Sequence, residues 1–379
     1  MRTPHVVLAA LAVALSARPA AAADEIKVGA LLAVTGPAAF LGAPEARTLE
    51  MLVADVNAKG GVAGKKVKLI VKDTAASPEK AISFAKQLIE EEKVFAIIGP
   101  STSGETMAVK NLAEESKTLL LSCAAAQVIV NPVAKYVFKT PQDDASAVTR
   151  ILAQMKKMNI TKIGLLSSNT GFGKAGKEQV AKLAPQSGIQ IAVDEVYDKA
   201  ATDLTAEVTK LKAAGVQAVV NWSIEPAQAI VIKNIRQIGL NVPIFQSHGF
   251  GNINYVKAAG AAAEGVIFPA GRLLVADGLP DKHPQKALLV SYKKAYEKKY
   301  SEDVSTFGGH AYDAFEILVA ALKKVGADRE KVRSAIEGLT GLVGTAGIFN
   351  FSATDHNGLT PEAFEMLTVK DGKFAVLAN

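Results

Sequence analysis

Ser101, Thr102 and Ser103 are three consecutive hydroxyl residues between a Gly99-Pro100 break and a segment whose Met107, Val109 and Leu112 recur at helical spacing. Hydroxyls in that position cap a helix, and the first turn behind them carries roughly half a positive charge with unpaired N–H donors. The combination suits a carboxylate or another small anion. Two roles are open to Ser103 on these grounds: a cap on its own helix, or a ligand for an anion beside the Gly104 N–H.

A second glycine-rich stretch, Gly171-Phe172-Gly173-Lys174-Ala175-Gly176, has the GxGxxG spacing of a dinucleotide loop, with Asp194 further on. Ser168, Asn169 and Thr170 separate it from the preceding strand, where that motif needs an immediate tight turn, so no nicotinamide cofactor is expected. The histidines His5, His248, His283, His310 and His356 stand at no metal-ligand spacing from one another or from Cys123, and no GxSxG elbow occurs. The reading is of a protein that is not an enzyme, with no metal and no cofactor. Cys123 is the sole cysteine, which excludes an intramolecular disulfide, and it reads as a small buried residue. Phe172 falls on a glycine-flanked strand-to-helix turn, where an aromatic side chain either closes over a ligand from a cleft rim or folds back onto its own sheet. His248, in the loop 246–251, and Trp222, at a strand end, are each open to a pocket role or to ordinary packing.

These residues need a scaffold of alternating strands and helices. Strands are predicted over 26–33, 67–72, 94–98, 118–121 and 136–140. The first helix carries Leu49, Leu52, Val53 and Val56 on one face and stops at Gly60-Gly61; the second has Ser77 as cap and Pro78 at its first position. The alternation restarts with helices over 145–158, 174–186, 204–214 and 226–238 between strands over 162–167, 190–196, 218–222 and 244–245. Long amphipathic helices follow over 284–300 and 310–325, a shorter one over 331–338, and a hairpin over 364–377 with Asp371-Gly372 in its turn. Strict alternation implies an α/β fold with parallel sheets covered on both faces, in two lobes joined by more than one crossover. Ligands of such sheets bind outside the carboxyl ends of the strands, which places function in a cleft between the lobes.

Composition agrees: 379 residues, 49% hydrophobic and 21% charged, fit a soluble protein of more than one domain. Residues 1–23 read as a secretory signal peptide, with Arg2 and His5 before the apolar run 6–15 and Ala21-Ala22-Ala23 at the cleavage site. No cysteine near that site offers a lipid attachment point, so a soluble protein outside the cytoplasm is expected. Cleavage removes Arg2 and Arg18 and lowers the formal charge from +6 to +4. The lysines, such as Lys156, Lys157, Lys293, Lys294, Lys298 and Lys299, lie along helix faces without interleaved aromatics, which excludes a nucleic-acid surface.

Five segments together resemble the periplasmic solute-binding proteins of the branched-chain and hydrophobic amino-acid class, which feed ATP-binding-cassette importers. They are IKVGALLAVTGPAAFLG (26–42), ADVNAKGGVAGKKVKLIVKD (54–73), IGPSTSGETMAV (98–109), TGFGKAG (170–176) and FNFSATDHNGLTPEAFEMLTVKDGKF (349–374). The resemblance covers the whole chain after the signal peptide and implies a type I periplasmic binding protein, two Rossmann-like lobes joined by three hinge crossovers. It implies lobe one from 24–141 and 272–350, lobe two from 142–271 and 351–379, and hinges near Pro141, Gly271 and Asn350. By the same resemblance Ser103, the Gly104 N–H and the loop Ala124, Ala125 and Ala126 hold a ligand carboxylate, and Phe172 closes over it. A membrane permease is the implied partner, and a monomer the implied state.

The sequence departs from the amino-acid-binding pattern at the ligand. Ala126 stands where those proteins carry a hydroxyl, His248 where they carry the acid that pairs with the ligand ammonium, Leu41, beside Phe40, where Tyr is frequent, and Ile224 at another rim position. The expected ligand is a small aromatic or branched carboxylate without an α-ammonium. A branched-chain amino acid is the alternative, followed by an exported ligand-sensing subunit and by an α/β enzyme.

Overall fold

The computed structural model describes residues 25–378, and the segment read as a signal peptide lies outside them. The first sheet is wholly parallel, with the order β2-β1-β3-β4-β5, where β1 is Ile26–Leu32, β2 Val67–Asp73, β3 Ala96–Ile98, β4 Leu119–Ser122 and β5 Val137–Lys139. Val28, Ala30 and Leu32 pack with α1 (Ala39–Ala58) and α10 (Thr306–Val325), while Leu31 packs with α2 (Pro78–Lys86) and α3 (Ser103–Glu115). That alternation follows from the two-residue period of a strand, and burial on both faces explains why the strands read as apolar runs. Gly99 ends β3 with a φ of 93°, where an added Cβ would stand 2.3 Å from the Leu31 carbonyl oxygen. Only glycine lets the chain leave β3 so close to β1.

The second sheet has seven strands in the order β14-β13-β10-β9-β8-β6-β7. Its parallel part is β6 (Lys162–Ser168), β7 (Gln190–Tyr197), β8 (Ala218–Trp222), β9 (Ile244–Gln246) and β10 (Ile267–Ala270). The antiparallel hairpin β13 (Glu365–Lys370) and β14 (Lys373–Val376) extends it, and Asp371 and Gly372 turn with φ of 52° and 70°. Helices α4 (Asp144–Lys157), α5 (Gly171–Gln186), α6 (Thr205–Ala213), α7 (Ala227–Gln237) and α8 (Ile253–Ala259) accompany this sheet. The order β7-β6-β8-β9-β10 repeats β2-β1-β3-β4-β5. In each sheet the winding reverses between the first and third strands, the position where open α/β sheets bind ligand.

The remaining elements, α9 (Lys286–Tyr300), α11 (Arg329–Glu337) and the short pair β11 (Leu342–Val343) and β12 (Ile348–Phe349), return to the first unit with α10. Phe351, Leu359 and Ala363 still pack in the first core, whereas Phe364 onward joins the second. Sequence periodicity marks neither α8 nor β10, because the alanine-rich run 258–263 imposes no period, nor the two-residue strands β11 and β12. Helix α5 also starts at Gly171 rather than 174, because the Thr170 hydroxyl accepts the Gly173 N–H at 3.2 Å and begins the helix there. No helix among the described residues is long and apolar enough to cross a membrane.

Candidate functional site

A small enclosed cavity lies between the two winding reversals. The first unit contributes Leu41, Ser101, Ser103, Cys123, Ala124, Ala125, Phe307 and His310; the second contributes Phe172, Ile224, His248 and Gly249, with Pro141 at a crossover. Its volume of about 20 Å³ is room for little more than one water molecule, so the two lobes stand closed on each other. The Asn252 amide donates to the Phe40 carbonyl at 2.8 Å, the Thr306 N–H to the Gly251 carbonyl at 3.0 Å, and the Gln179 amide to Gln127 at 3.3 Å.

Thr102, not Ser103, caps α3. Its hydroxyl accepts the Glu105 N–H at 3.3 Å and donates to the Glu105 carboxylate at 2.6 Å, a reciprocal arrangement that occupies Thr102 fully. Ser103 is therefore free for another role; its Oγ accepts the Ala126 N–H at 3.3 Å and lies on the cavity wall. Ala126 contributes that N–H alone and is buried behind the wall, unlike Ala124 and Ala125, which line it. Ser101, one of the three consecutive hydroxyls, also lines the cavity. Its Oγ accepts the Ala33 N–H at 3.0 Å, tying the loops after β1 and β3 together, and donates to the buried carboxyl of Glu45 on α1. Burial pushes Glu45 up to about 8, against the lowering effect of the Ser101 bond.

Gly104 does not line the cavity. It meets Gly171 across the cleft, where a Cβ built on Gly171 would stand 2.7 Å from the Gly104 Cα and 2.8 Å from its N. The starts of α3 and α5, one from each lobe, thus abut. Phe172 is not an exposed rim residue: it is buried in the first turn of α5, with ring centroids 5.3 Å from His248 and 5.9 Å from Trp222. Leu41 and Ile224 line the cavity, but Phe40 turns away to pack edge-on against Tyr255 at 5.1 Å. Trp222 sits one layer back, fully buried, with its indole edge over Gly176, where a Cβ would come within 2.0 Å of Nε1.

His248 is enclosed edge-on by the rings of Phe172, Trp222 and Phe364, with centroids 5.3 to 5.7 Å away. Neither ring nitrogen has a hydrogen-bond partner, and burial, reinforced by the positive charge of Lys139, drives its pKa down to about 3. His310 was read only as the start of a helix. It is the fifth residue of α10, its Nδ1 also lacks a partner, and burial together with His248 and Lys139 brings it to about 3. Lys139 is fully buried and donates to the Pro141 carbonyl at 2.7 Å; burial lowers it to about 8. Cys123 lines the cavity as a neutral thiol, since burial and the nearby Glu45 push it well above its ordinary value. No aspartate or glutamate lines the cavity, and among the described residues no three His, Cys, Asp or Glu side chains are grouped to hold a metal.

Two lobes of repeated strand order closing on a cavity at both winding reversals is one arrangement, and a family model described as periplasmic binding protein matches it over residues 25–373. The chain belongs to this family. It is 27% identical over 339 residues, 88% of each chain, to the leucine-, isoleucine-, valine-, threonine- and alanine-binding protein of Pseudomonas aeruginosa. An extracellular ligand-binding receptor from Rhodopseudomonas palustris HaA2 superimposes on this periplasmic binding protein with a TM-score of 0.86 and 30% identity, covering 94% of this chain and 100% of that one. The same fold, at 21% identity and a TM-score of 0.81 over 93% and 96% of the two chains, occurs in the solute binding protein of an ABC transporter from R. palustris BisB5, solved with 3,4-dihydroxybenzoic acid. The sequence resemblance and the α/β fold with parallel-sheet lobes are thereby established, and members of the family are periplasmic solute-binding proteins of transport systems.

Proposed function

We propose that this protein is the extracytoplasmic receptor of an ATP-binding-cassette importer and that it captures a small carboxylate lacking an α-ammonium, aromatic or branched aliphatic, by lobe closure. One observation carries the reading: the cavity wall offers a hydroxyl at a helix N-terminus and no acidic side chain. An ammonium enclosed there without a carboxylate partner costs several kcal/mol. A carboxylate meets the Ser103 hydroxyl and the positive ends of α3 and α5. Those two ends repel each other in the closed form, and an anion placed beside both is the differential interaction that favours closure. The lobes in this reading are 24–141 with 272–350 and 142–271 with 364–379, hinged near Pro141, Gly271 and the segment after Asn350, the expected boundary at 351 giving way to the packing of the core. The third crossover then runs over 350–364, since Phe351, Leu359 and Ala363 lie on the first core. The protein is exported by residues 1–23, works as a monomer, and presents its closed shape to a membrane permease.

A branched-chain amino acid is the second reading, favoured by the named specificity of the P. aeruginosa relative and by one residue. Glu45 is a buried acid bonded to the cavity-lining Ser101, with its Oε1 unpartnered. Ligand ammonium reaching it would force it to ionise and release a proton on binding. Titration calorimetry separates the readings. Ser103→Ala is expected to weaken benzoate or 4-methylpentanoate by about 1.5 to 3 kcal/mol, the worth of a hydrogen bond to a charged group. A loss under about twofold would remove Ser103 from the carboxylate site. His248→Glu is expected to weaken these acids and to improve leucine; unchanged selectivity would place His248 outside recognition.

A further inference from the structure

We propose that His248 and His310 form a two-imidazole subsite, one ring from each lobe, that takes a hydroxyl group of the bound acid, so that the ligand class is a hydroxy-carboxylate. This rests on the carboxylate reading above and adds to it the second polar group of the ligand. Both rings line the same cavity between the lobes, both are buried, and three of their four nitrogens have no hydrogen-bond partner in the protein. Buried polar nitrogens are ordinarily satisfied, and the rings packed around His248 are those of Phe172, Trp222 and Phe364, of which only the Trp222 indole carries a polar atom.

The chemistry of the missing partner follows from the charge state of the rings. Burial, helped by the positive charge of Lys139, holds both imidazoles neutral, so each presents one N–H donor and one bare acceptor nitrogen. A hydroxyl matches that pair, because it donates its proton to one ring and accepts from the N–H of the other. A second carboxylate only accepts, and would require at least one ring to take a proton in a site that resists it. An ammonium only donates, and stands against Lys139. The other orphaned ring group nearby, the Trp222 indole N–H, lies against Gly176 on α5 and does not compete for this role. Because one imidazole comes from the loop after β9 and the other from α10, a bridging hydroxyl also joins the two lobes.

Titration of the full mature protein with matched acids tests this: benzoate against 3- and 4-hydroxybenzoate, 4-methylpentanoate against its 2-hydroxy form, and terephthalate as the dicarboxylate. In the wild type the best hydroxylated acid is expected to bind at least roughly tenfold tighter than its plain parent, the effect of satisfying groups otherwise left unpaired. His310→Phe and His248→Phe, which keep a ring and remove its nitrogens, are each expected to bring that ratio close to one. The wild-type comparison stands even if a variant does not fold. Equal binding of plain and hydroxylated acids, a ratio that survives both substitutions, or terephthalate as the tightest acid overturns the subsite while leaving the carboxylate reading in place. Binding of leucine with no acid of either kind overturns both.

Discussion

Thr102 and Ser103 are adjacent hydroxyls with separate duties, and single substitutions should separate them. Thr102→Ala removes the cap of α3 and is expected to cost about 1 kcal/mol of stability in urea unfolding, with ligand affinity following only through any fraying of the helix start. Ser103→Ala should do the reverse, lowering affinity more than stability. If the two variants show the same profile, the division of labour drawn from their bonds is wrong. The histidines carry a pH signature of their own. His310 titrates near 3 in the folded protein against 6.5 in the unfolded chain, so its contribution is intact above about pH 6.5 and is lost on acidification. Between pH 6 and 4 the wild type should lose stability relative to His310→Phe by about 1.4 kcal/mol per pH unit. Glu45, raised to about 8, has the opposite sign in that window, which is why the comparison is made between variants and not on the wild type alone. A pH-independent difference would show that His310 is solvated and titrates normally.

At the scale of elements, the starts of α3 and α5 meet across the cleft without room for a side chain. A methyl on Gly171 would stand 2.7 Å from backbone that cannot yield without moving a helix. Gly171→Ala is therefore expected to fold normally, hold the lobes apart, and weaken ligand by tenfold or more, with a melting temperature close to that of the wild type. Unchanged affinity would mean that ligand capture does not need this contact. Much at this scale was legible from residue order. The Ser77-Pro78 helix start, the Asp371-Gly372 hairpin turn and the strand-helix alternation each rest on local chemistry, and the structure has them where local chemistry puts them. The Ser77 Oγ accepts the Lys80 N–H at 3.2 Å, as a cap should. What could not be read were contacts made only by folding. His310 and Phe307 reach the cavity from α10, far along the chain from His248 and Ser103, and helical periodicity marks such residues as core without saying which cavity they border. Ser101 and Cys123 lie in the loops after β3 and β4 and look structural until the two sheets meet. Of the two places open to Phe172, a cleft rim or its own sheet, residue order does not choose; in the fold it is buried against Trp222 and His248 of its own lobe while still bordering the cavity.

For the whole molecule, the repeated strand order and the facing winding reversals make one site from two similar halves. Hydrogen bonds such as Asn252 to Phe40 and Thr306 to Gly251 exist only while the halves are together. The closed form should accordingly be a ligand-dependent population, and small-angle scattering should record a smaller radius of gyration on addition of a bound acid in the wild type but not in Gly171→Ala. An identical radius with and without ligand in the wild type would contradict a closure mechanism. The two departures from the amino-acid-binding pattern, His248 and Ala126, were visible as single letters, yet what they touch depends on the fold: three aromatic rings around His248, and the Ala126 N–H donating to Ser103.

The most direct measurement of the central claim is a thermal-shift screen of the mature protein against two separate panels, one of amino acids and one of aromatic and aliphatic carboxylates without an amino group. A ligand that binds only the folded state raises the melting temperature by mass action, and one present at a hundred times its dissociation constant adds about 2.7 kcal/mol. Shifts are expected within the carboxylate panel and none for leucine, isoleucine or valine. Shifts confined to the branched-chain amino acids would contradict the carboxylate reading, and would assign the ammonium to a buried acid such as Glu45.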